Sequence, residues 1–418
     1  MRILVILTFF SSGLFSIITP MAQELTIALN LESQGTVALI NSIFLMTGAI
    51  SSIFWSILGD KISRKILLII STFEWSIFIF LTIFSFNFVS LLLFQIFTSI
   101  GFGASLPLVF SLTVDIVEPK IRGKQFGELS AVYVGGNGLG QILSGFLIDY
   151  YPWQIPLIII AIGGFFSTGL LFTIQEPQRG SMDKLNIQGN EDLEKIDYKI
   201  RLEDLKKIGR TKSTIWIIIF NFLMFVAIGA ISSFFISMLK NDYVLSSTIA
   251  TVFLIVVFGS QIPSGPFFGN KGDKKRENDI NGRIKIVRFC YIGGSIFYII
   301  GFSLFFIGNS LTFAILLLFF ALGGAFLFGG IDPLTQATLG ETNPPQIRST
   351  IYSLNFLAYT FGRGISLILL GQFYVLFSNF YSPGYLILIV MAFAFSLVLI
   401  PIFKNIPKDI GKIKSGQI

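Results

Sequence analysis

The chain has 418 residues, 53% hydrophobic and 13% charged, about half the charge of an ordinary soluble protein. A net charge of +7 with no histidine and one cysteine, Cys290, excludes the usual zinc and histidine-based catalytic sites and any internal disulfide. Apolar runs of about 20 residues, long enough to cross a ~30 Å hydrocarbon core as helices, place the chain in a lipid bilayer.

Twelve such runs follow one another: 3–29, 34–58, 66–86, 89–114, 126–149, 154–174, 214–239, 246–268, 285–307, 311–338, 349–376 and 383–403. Barrel strands are shorter and alternate polar with apolar residues, so the runs predict helices. The first follows Arg2 as a signal sequence would, but it continues past Pro20 with no small-x-small cleavage site and reads as a span. Between spans two and three, LGDKISRKIL (58–67) puts Asp60, Lys61, Arg64 and Lys65 into six residues. The polar stretch 178–213 divides the chain. Its beginning, QRGSMDKLNIQGN, reads as flexible, while Leu193, Ile196 and Ile200 predict a short amphipathic helix against the inner surface or else a solvated linker. The expected organisation is a six-helix bundle over 1–177, a cytoplasmic linker over 178–213, a second six-helix bundle over 214–403 and a cytoplasmic tail over 404–418.

The placement of the basic residues explains the net charge. With the N-terminus inside, 28 of the 30 lysines and arginines fall on inner segments. The exceptions are Lys240, on the outer side, and Arg363, within span eleven. The positive-inside rule then puts both termini in the cytoplasm, which fits the plasma membrane and gives no nucleic-acid footprint.

An internal repeat is visible at a shift of 226 residues. It pairs Pro107 with Pro333, Asp115 with Glu341, Pro119 with Pro345, Arg122 with Arg348 and Tyr133 with Tyr359. An acid seven residues before an arginine, with proline between and upstream, implies two six-helix halves in parallel orientation.

Six plus six spans, a long central loop and these loop motifs resemble the major facilitator superfamily. The resemblance is carried by the pattern G-x-x-x-D-[RK]-x-G-R-[RK], which Ser56, Asp60, Lys61, Ser63, Arg64 and Lys65 fill with serine at both glycine positions. Gly269, Asp273, Lys274, Gly282, Arg283 and Lys285 fill it again with six extra residues inserted. Asp115 with Arg122 and Gly123 resembles the loop after span four, and Gly136, Gly140 and Gly145 the glycine-rich fifth span. LGDKISRK with EWS, then GGNGLG, then IRST with FGRG, is similar to the Spinster-like branch, whose members move amphipathic, lipid-like molecules. Gln95 stands where the fourth span usually has arginine, and the first span has no acid–arginine pair.

The resemblance implies an inner gate: Asp60 on the N-terminus of span eleven near Ser349, and Arg64 paired with Asp115. The repeat implies counterparts between Asp273 and the start of span five, and between Arg283 and Glu341, with Arg122 and Arg348 beside them. Partly exposed pairs of this kind are worth roughly 1 kcal/mol each, which suits a switch. The alternative is that these charges only set topology.

Charges inside spans are functional candidates because hydrocarbon makes them costly. Arg363 lies about 14 residues, roughly 21 Å, from the inner end of span eleven. It either awaits an anionic head group or pairs with an internal acid such as Asp332, roughly 9 Å deep in span ten. Glu24, near the outer end of span one, is a further candidate for pairing or coupling. Gln95, Asn137, Asn221, Gln261 and Asn355 are substrate-binding candidates, the plainer reading of each being a bond to a neighbouring helix.

These residues predict a non-enzymatic, monomeric transporter with no cofactor or metal. It would carry a small organic solute, amphipathic or anionic, by rocker-switch alternating access, driven by a coupling proton or ion or by the solute gradient. The alternatives are a non-transporting sensor or receptor on a transporter scaffold, and a membrane-embedded lipid enzyme built on the acids Asp273, Glu277 and Asp279.

Overall fold

The computed structural model describes all residues except 19–20, 32–33, 148–149, 180–181, 183–210, 345–346, 379 and 415–418. Among the described residues every regular element is helical. In chain order they are α1 (Arg2–Ser16), α2 (Ala22–Ala28), α3 (Gln34–Lys61), α4 (Arg64–Leu81), α5 (Phe88–Ile116), α6 (Arg122–Leu147) and α7 (Gln154–Leu171). After the linker come α8 (Lys212–Ile228), α9 (Ile231–Asp242), α10 (Ser247–Gly259), α11 (Gln261–Asn278), α12 (Gly282–Ser303) and α13 (Leu311–Phe328). The last are α14 (Ile331–Glu341), α15 (Arg348–Leu376), α16 (Ser382–Phe395) and α17 (Leu399–Lys414). The amphipathic helix expected around Leu193, Ile196 and Ile200 lies outside the described residues.

Ten continuous helical stretches among the described residues are long and apolar enough to cross a membrane. The shorter α1 with α2, and the glycine-rich α6, occupy the two remaining expected spans. Span seven is built from α8 and α9, which meet at Gly229 and Ala230; the Ala230 amide freed there donates to Ser366 Oγ at 2.9 Å. Two ends differ from the sequence reading. The stretch Ile249–Asn278 runs past residue 268, because its charged last turns are held by the contacts described below. The expected tail is helical to Lys414, because Ile402, Ile406 and Ile410 repeat every four residues and are buried.

Local chemistry sets several boundaries. Ser63 caps α4 by accepting from the Ile66 amide at 3.2 Å, which ends the LGDKIS turn and starts the next span. Asn87 and Ser90 form a reciprocal capping box at the start of α5. Along α3, Leu39, Met46, Ile50 and Phe54 are each more than half exposed and form a stripe suited to lipid.

The chain gathers into two compact units. Unit 1 comprises residues 1–118, 132–204 and 345–357; unit 2 comprises 119–131, 205–344 and 358–418. The core of unit 1 includes Leu67, Leu68, Trp75 and Ile79 of α4, where α4 packs on α5 and α7. In unit 2, α12 packs on α13 and α16 through an aromatic stack: Tyr298 lies 5.6 Å from Phe328 of α13, and Phe302 lies 5.0 Å from Tyr385 of α16. Each unit thus takes one short segment from the other half of the sequence, 345–357 in unit 1 and 119–131 in unit 2.

Candidate functional site: carboxylates on helix N-termini

In unit 1, Asp60 at the end of α3 caps the N-terminus of α15. Its Oδ1 accepts from the Ser349 amide at 3.0 Å, and its Oδ2 accepts from the Thr350 amide at 2.9 Å and the Thr350 hydroxyl at 2.5 Å. The exposed amides of a first helical turn carry partial positive charge, so a carboxylate is a fitting partner for them. Beside it, Arg64 Nη1 lies 2.6 Å from Asp115 Oδ2, and Arg348 Nη1 lies 3.1 Å from Asp115 Oδ1. Arg64 also donates to Ser111 Oγ at 3.0 Å, and Ser349 Oγ bonds the same serine at 2.8 Å. One buried acid therefore holds two arginines, and Ser111 links them to the cap.

Unit 2 repeats the arrangement on the N-terminus of α6. Asp273 accepts from the Gly123 amide at 3.0 Å and the Lys124 amide at 2.8 Å. Arg283 donates to Asp273 Oδ1 through Nε at 2.8 Å and Nη2 at 2.6 Å, to the Pro119 carbonyl at 2.6 Å, and to Glu341. Arg276 reaches the other oxygen of Glu341 at 3.2 Å, and buried Arg122 lies within electrostatic reach of it. The backbones nearly touch here. A Cβ on Gly269 would lie 2.2 Å from the Gly123 carbonyl oxygen, and one on Gly127 would lie 2.3 Å from the Gly265 carbonyl oxygen. The sequence reading expected these pairs to be partly exposed. The structure buries them: Arg64, Arg283 and Asp115 are each at most 1% exposed. Breaking one therefore costs more than breaking a surface pair.

Residues the sequence reading passed over complete the two networks. Glu176, just after α7, caps α4: it accepts from the Arg64 amide at 2.9 Å and from the Ser63 hydroxyl. Arg179 donates to the Gly59 and Ile62 carbonyls at 2.7 and 2.8 Å and to the Asp60 carbonyl, satisfying the C-terminal end of α3. An acid and an arginine in EPQR directly after an apolar run were the available signal. Asp242, at the end of α9, caps α16 in the same manner through the amides of Tyr381 (3.1 Å) and Ser382 (2.6 Å).

The candidates inside spans are spread over both units. Arg363, near the middle of α15, donates to Ser233 Oγ at 3.3 Å, and its Cα lies against Gly229 at the α8–α9 junction. Asp332 accepts from Ser130 Oγ at 3.2 Å and Gln336 Nε2 at 3.0 Å. Gln95 is buried and donates to Thr82 Oγ1 at 3.2 Å, which makes it a bond between helices. Asn137 accepts from Gln141 one turn along α6, and its carbonyl accepts from Ser16 of α1 at 2.7 Å. Asn221 and Asn355 are buried, Gln261 is half-buried at the start of α11, and Glu24 is half-buried in the first turn of α2.

The acids that suggested a lipid enzyme do not converge. Asp273 faces Arg283, while Asp279 pairs with Lys285 at 2.5 Å. Lys285 and the Asn281 amide hold the Asp279 carboxyl below its ordinary value. Among the described residues no group of three acids, cysteines or histidines is placed to hold a metal ion.

Comparison with known proteins agrees with this architecture. The chain superposes on the proton:xylose symporter XylE bound to 6-bromo-6-deoxy-D-glucose with a TM-score of 0.73, at 15% identity, over 95% of this chain and 93% of that one. It superposes on the human organic anion transporter MFSD10 (TETRAN) with a TM-score of 0.68, at 12% identity, over 95% and 98%. In sequence it is 24% identical over 171 residues to synaptic vesicle glycoprotein 2A of Homo sapiens, covering 38% of this chain and 23% of that protein. It is 26% identical over 136 residues to the putative niacin/nicotinamide transporter NiaP of Bacillus subtilis, covering 32% and 33%. The chain thus matches about a quarter to a third of the length of these relatives. Residues 4–296 match the family described as Major Facilitator Superfamily, and the chain belongs to that family.

Proposed function

We propose that the protein is a secondary active or facilitative transporter that moves a small organic solute across the membrane by rocker-switch alternating access. The observation that carries this reading is the duplicated cap: Asp60 on Ser349 and Thr350, and Asp273 on Gly123 and Lys124. In each case a carboxylate holds the first turn of a long helix whose remainder belongs to the other unit. Opening then consists of releasing 345–357 from Asp60 and 119–131 from Asp273. The released amides become accessible to water, which limits the cost of the exchange.

The solute class follows from Arg363, a guanidinium at mid-span beside a helix junction, which suits a carboxylate or phosphate head group. The resemblance of its motifs to the Spinster-like branch, whose members move amphipathic molecules, supports an amphipathic body. Asp332, held by neutral donors, and Glu24 are the acids available for coupling. The protein works as a monomer in the plasma membrane, with both ends of the chain inside. A thermal-shift screen of purified protein against lipids, sugars and organic anions, followed by uptake into proteoliposomes, tests the reading. Saturable uptake of an organic anion that Arg363→Gln abolishes is expected. A ligand that binds but is never accumulated or exchanged would indicate a sensor and overturn transport. An Asp60→Asn protein that inserts normally and transports at the original rate would remove the gate.

A further inference from the structure

The last helix, α17, which carries span twelve on past residue 403, is fastened to the start of span seven by buried polar contacts that the cap pairs do not involve. Its apolar face, Ile402, Ile406 and Ile410, is buried where α17 packs along α8. On the same face Asp409 is 1% exposed. Its Oδ2 accepts from the Ser213 amide at 2.8 Å and from the Ser213 hydroxyl at 2.7 Å. A carboxylate from a distant segment thus serves as the cap of α8, whose own Thr211 makes no side-chain cap. Thr211 and Thr214 are instead turned to Asn343, at 3.2 and 3.0 Å.

A second contact answers a gap in α17 itself. Pro407 has no N–H, so the Phe403 carbonyl lacks its partner four residues on. Asn281, in the turn before α12, donates to that carbonyl at 3.2 Å. Between α16 and α17 the backbone tightens to a 3-10 turn at Ser396–Val398, a geometry often found at hinges.

We propose that α17 is a latch on span seven: hinged at 396–398, pinned by Asp409 to Ser213 and by Asn281 to Phe403, and released as one piece together with the first turn of α8. Asp409 is then a positioning residue that acts through α8. The exposed Lys404 and Lys408 lie on the opposite face and take no part in the pins. Lys412 approaches Asp409 from the surface at 3.8 Å and is a minor contact. The inference stands on the contacts within unit 2 and holds whatever the carried solute is.

Hydrogen–deuterium exchange of the full chain in lipid nanodiscs tests it without a substrate. In the unmodified protein, peptides from α17 and from the first turn of α8 should exchange together, faster than those of α12. Asp409→Asn and Asn281→Ala should each speed exchange in those two segments about five- to tenfold, the scale of one lost cap, and leave α12 unchanged. Lys412→Gln should change little. Progressive fraying of α17 while the first turn of α8 stays protected overturns the latch. Equal acceleration across all of unit 2 in Asp409→Asn overturns it too, since that marks a purely structural residue. Should the variants fail to fold, the exchange pattern of the unmodified protein still decides.

Discussion

The two capped helix ends are built from the same motif by different chemistry. In unit 1, Asp60 accepts from neutral donors, the Ser349 and Thr350 amides and a hydroxyl, while Arg64 is engaged separately with Asp115. In unit 2, Asp273 caps its helix and binds Arg283 through the same carboxylate. The packing differs as well. Unit 2 brings glycine against glycine, Gly123 on Gly269 and Gly127 on Gly265. The corresponding positions in unit 1 are serines 349, 56, 353 and 52, all buried. The glycine pairs let backbones meet, so unit 2 depends on shape and on a neutralised charge. In the serine version Ser349 Oγ bonds Ser111 at 2.8 Å, while Ser353 Oγ and Ser52 Oγ turn back to their own helices, to the Thr350 carbonyl at 2.8 Å and the Ala49 carbonyl at 2.7 Å. One cap is therefore ionic and the other neutral.

Mutations should separate the two. Asp273→Ala leaves Arg283 buried with half its partners and should cost about 3 kcal/mol or more in thermal unfolding. Asp60→Ala loses a cap without stranding a cation and should cost about 1–2 kcal/mol. Equal losses would break the comparison. Next in size, Gly127→Ala or Gly269→Ala drives a methyl into a carbonyl and should destabilise unit 2 by about 1–3 kcal/mol. Ser56→Gly, which restores the family pattern in unit 1, should stay within about 1 kcal/mol of the starting protein. In the Arg64–Asp115–Arg348 cluster, Asp115→Asn should be worse than Arg348→Gln, because the first leaves two arginines facing each other and the second leaves one intact pair; a melting series of the two variants checks this. Arg179→Ala, which frees three carbonyls at a half-exposed site, should cost about 1 kcal/mol by the same measurement.

The smallest effect concerns pH. The Asp279 carboxyl is held low by Lys285, so its contribution is present above the ordinary carboxylate value and is lost as pH falls through the lowered one. The small loss in melting temperature caused by Lys285→Gln should therefore be the same at about pH 7 and pH 5 and should shrink as pH falls below the ordinary carboxylate value.

Much of the site was legible because charge in an apolar chain is conspicuous. Asp60, Arg64, Asp115, Asp273, Arg283, Glu341 and Arg348 all stand at helix ends where the pattern broke, and the shift of 226 residues paired several of them. Glu176, Arg179, Asp242 and Asp409 were passed over since each stands near other charges beside or beyond a span end, where a solvated charge is the ordinary reading. For Gln95 the sequence left two readings open, substrate binding or a bond between helices, and in the structure it bonds Thr82.

The sequence by itself determined the elements, since hydrocarbon thickness fixes span length, backbone polarity forces helices, and the basic residues point to one side. It also named the family through motifs that repeat within the chain. Only the tertiary structure decided which carboxylate meets which helix N-terminus. Those partners lie as far as 290 residues apart in the chain, and a capping acid carries no local mark of the helix it will reach. It likewise decided that the end of the last helix is docked and not free, because Ile406 and Asp409 are buried where that helix packs on α8 and α12.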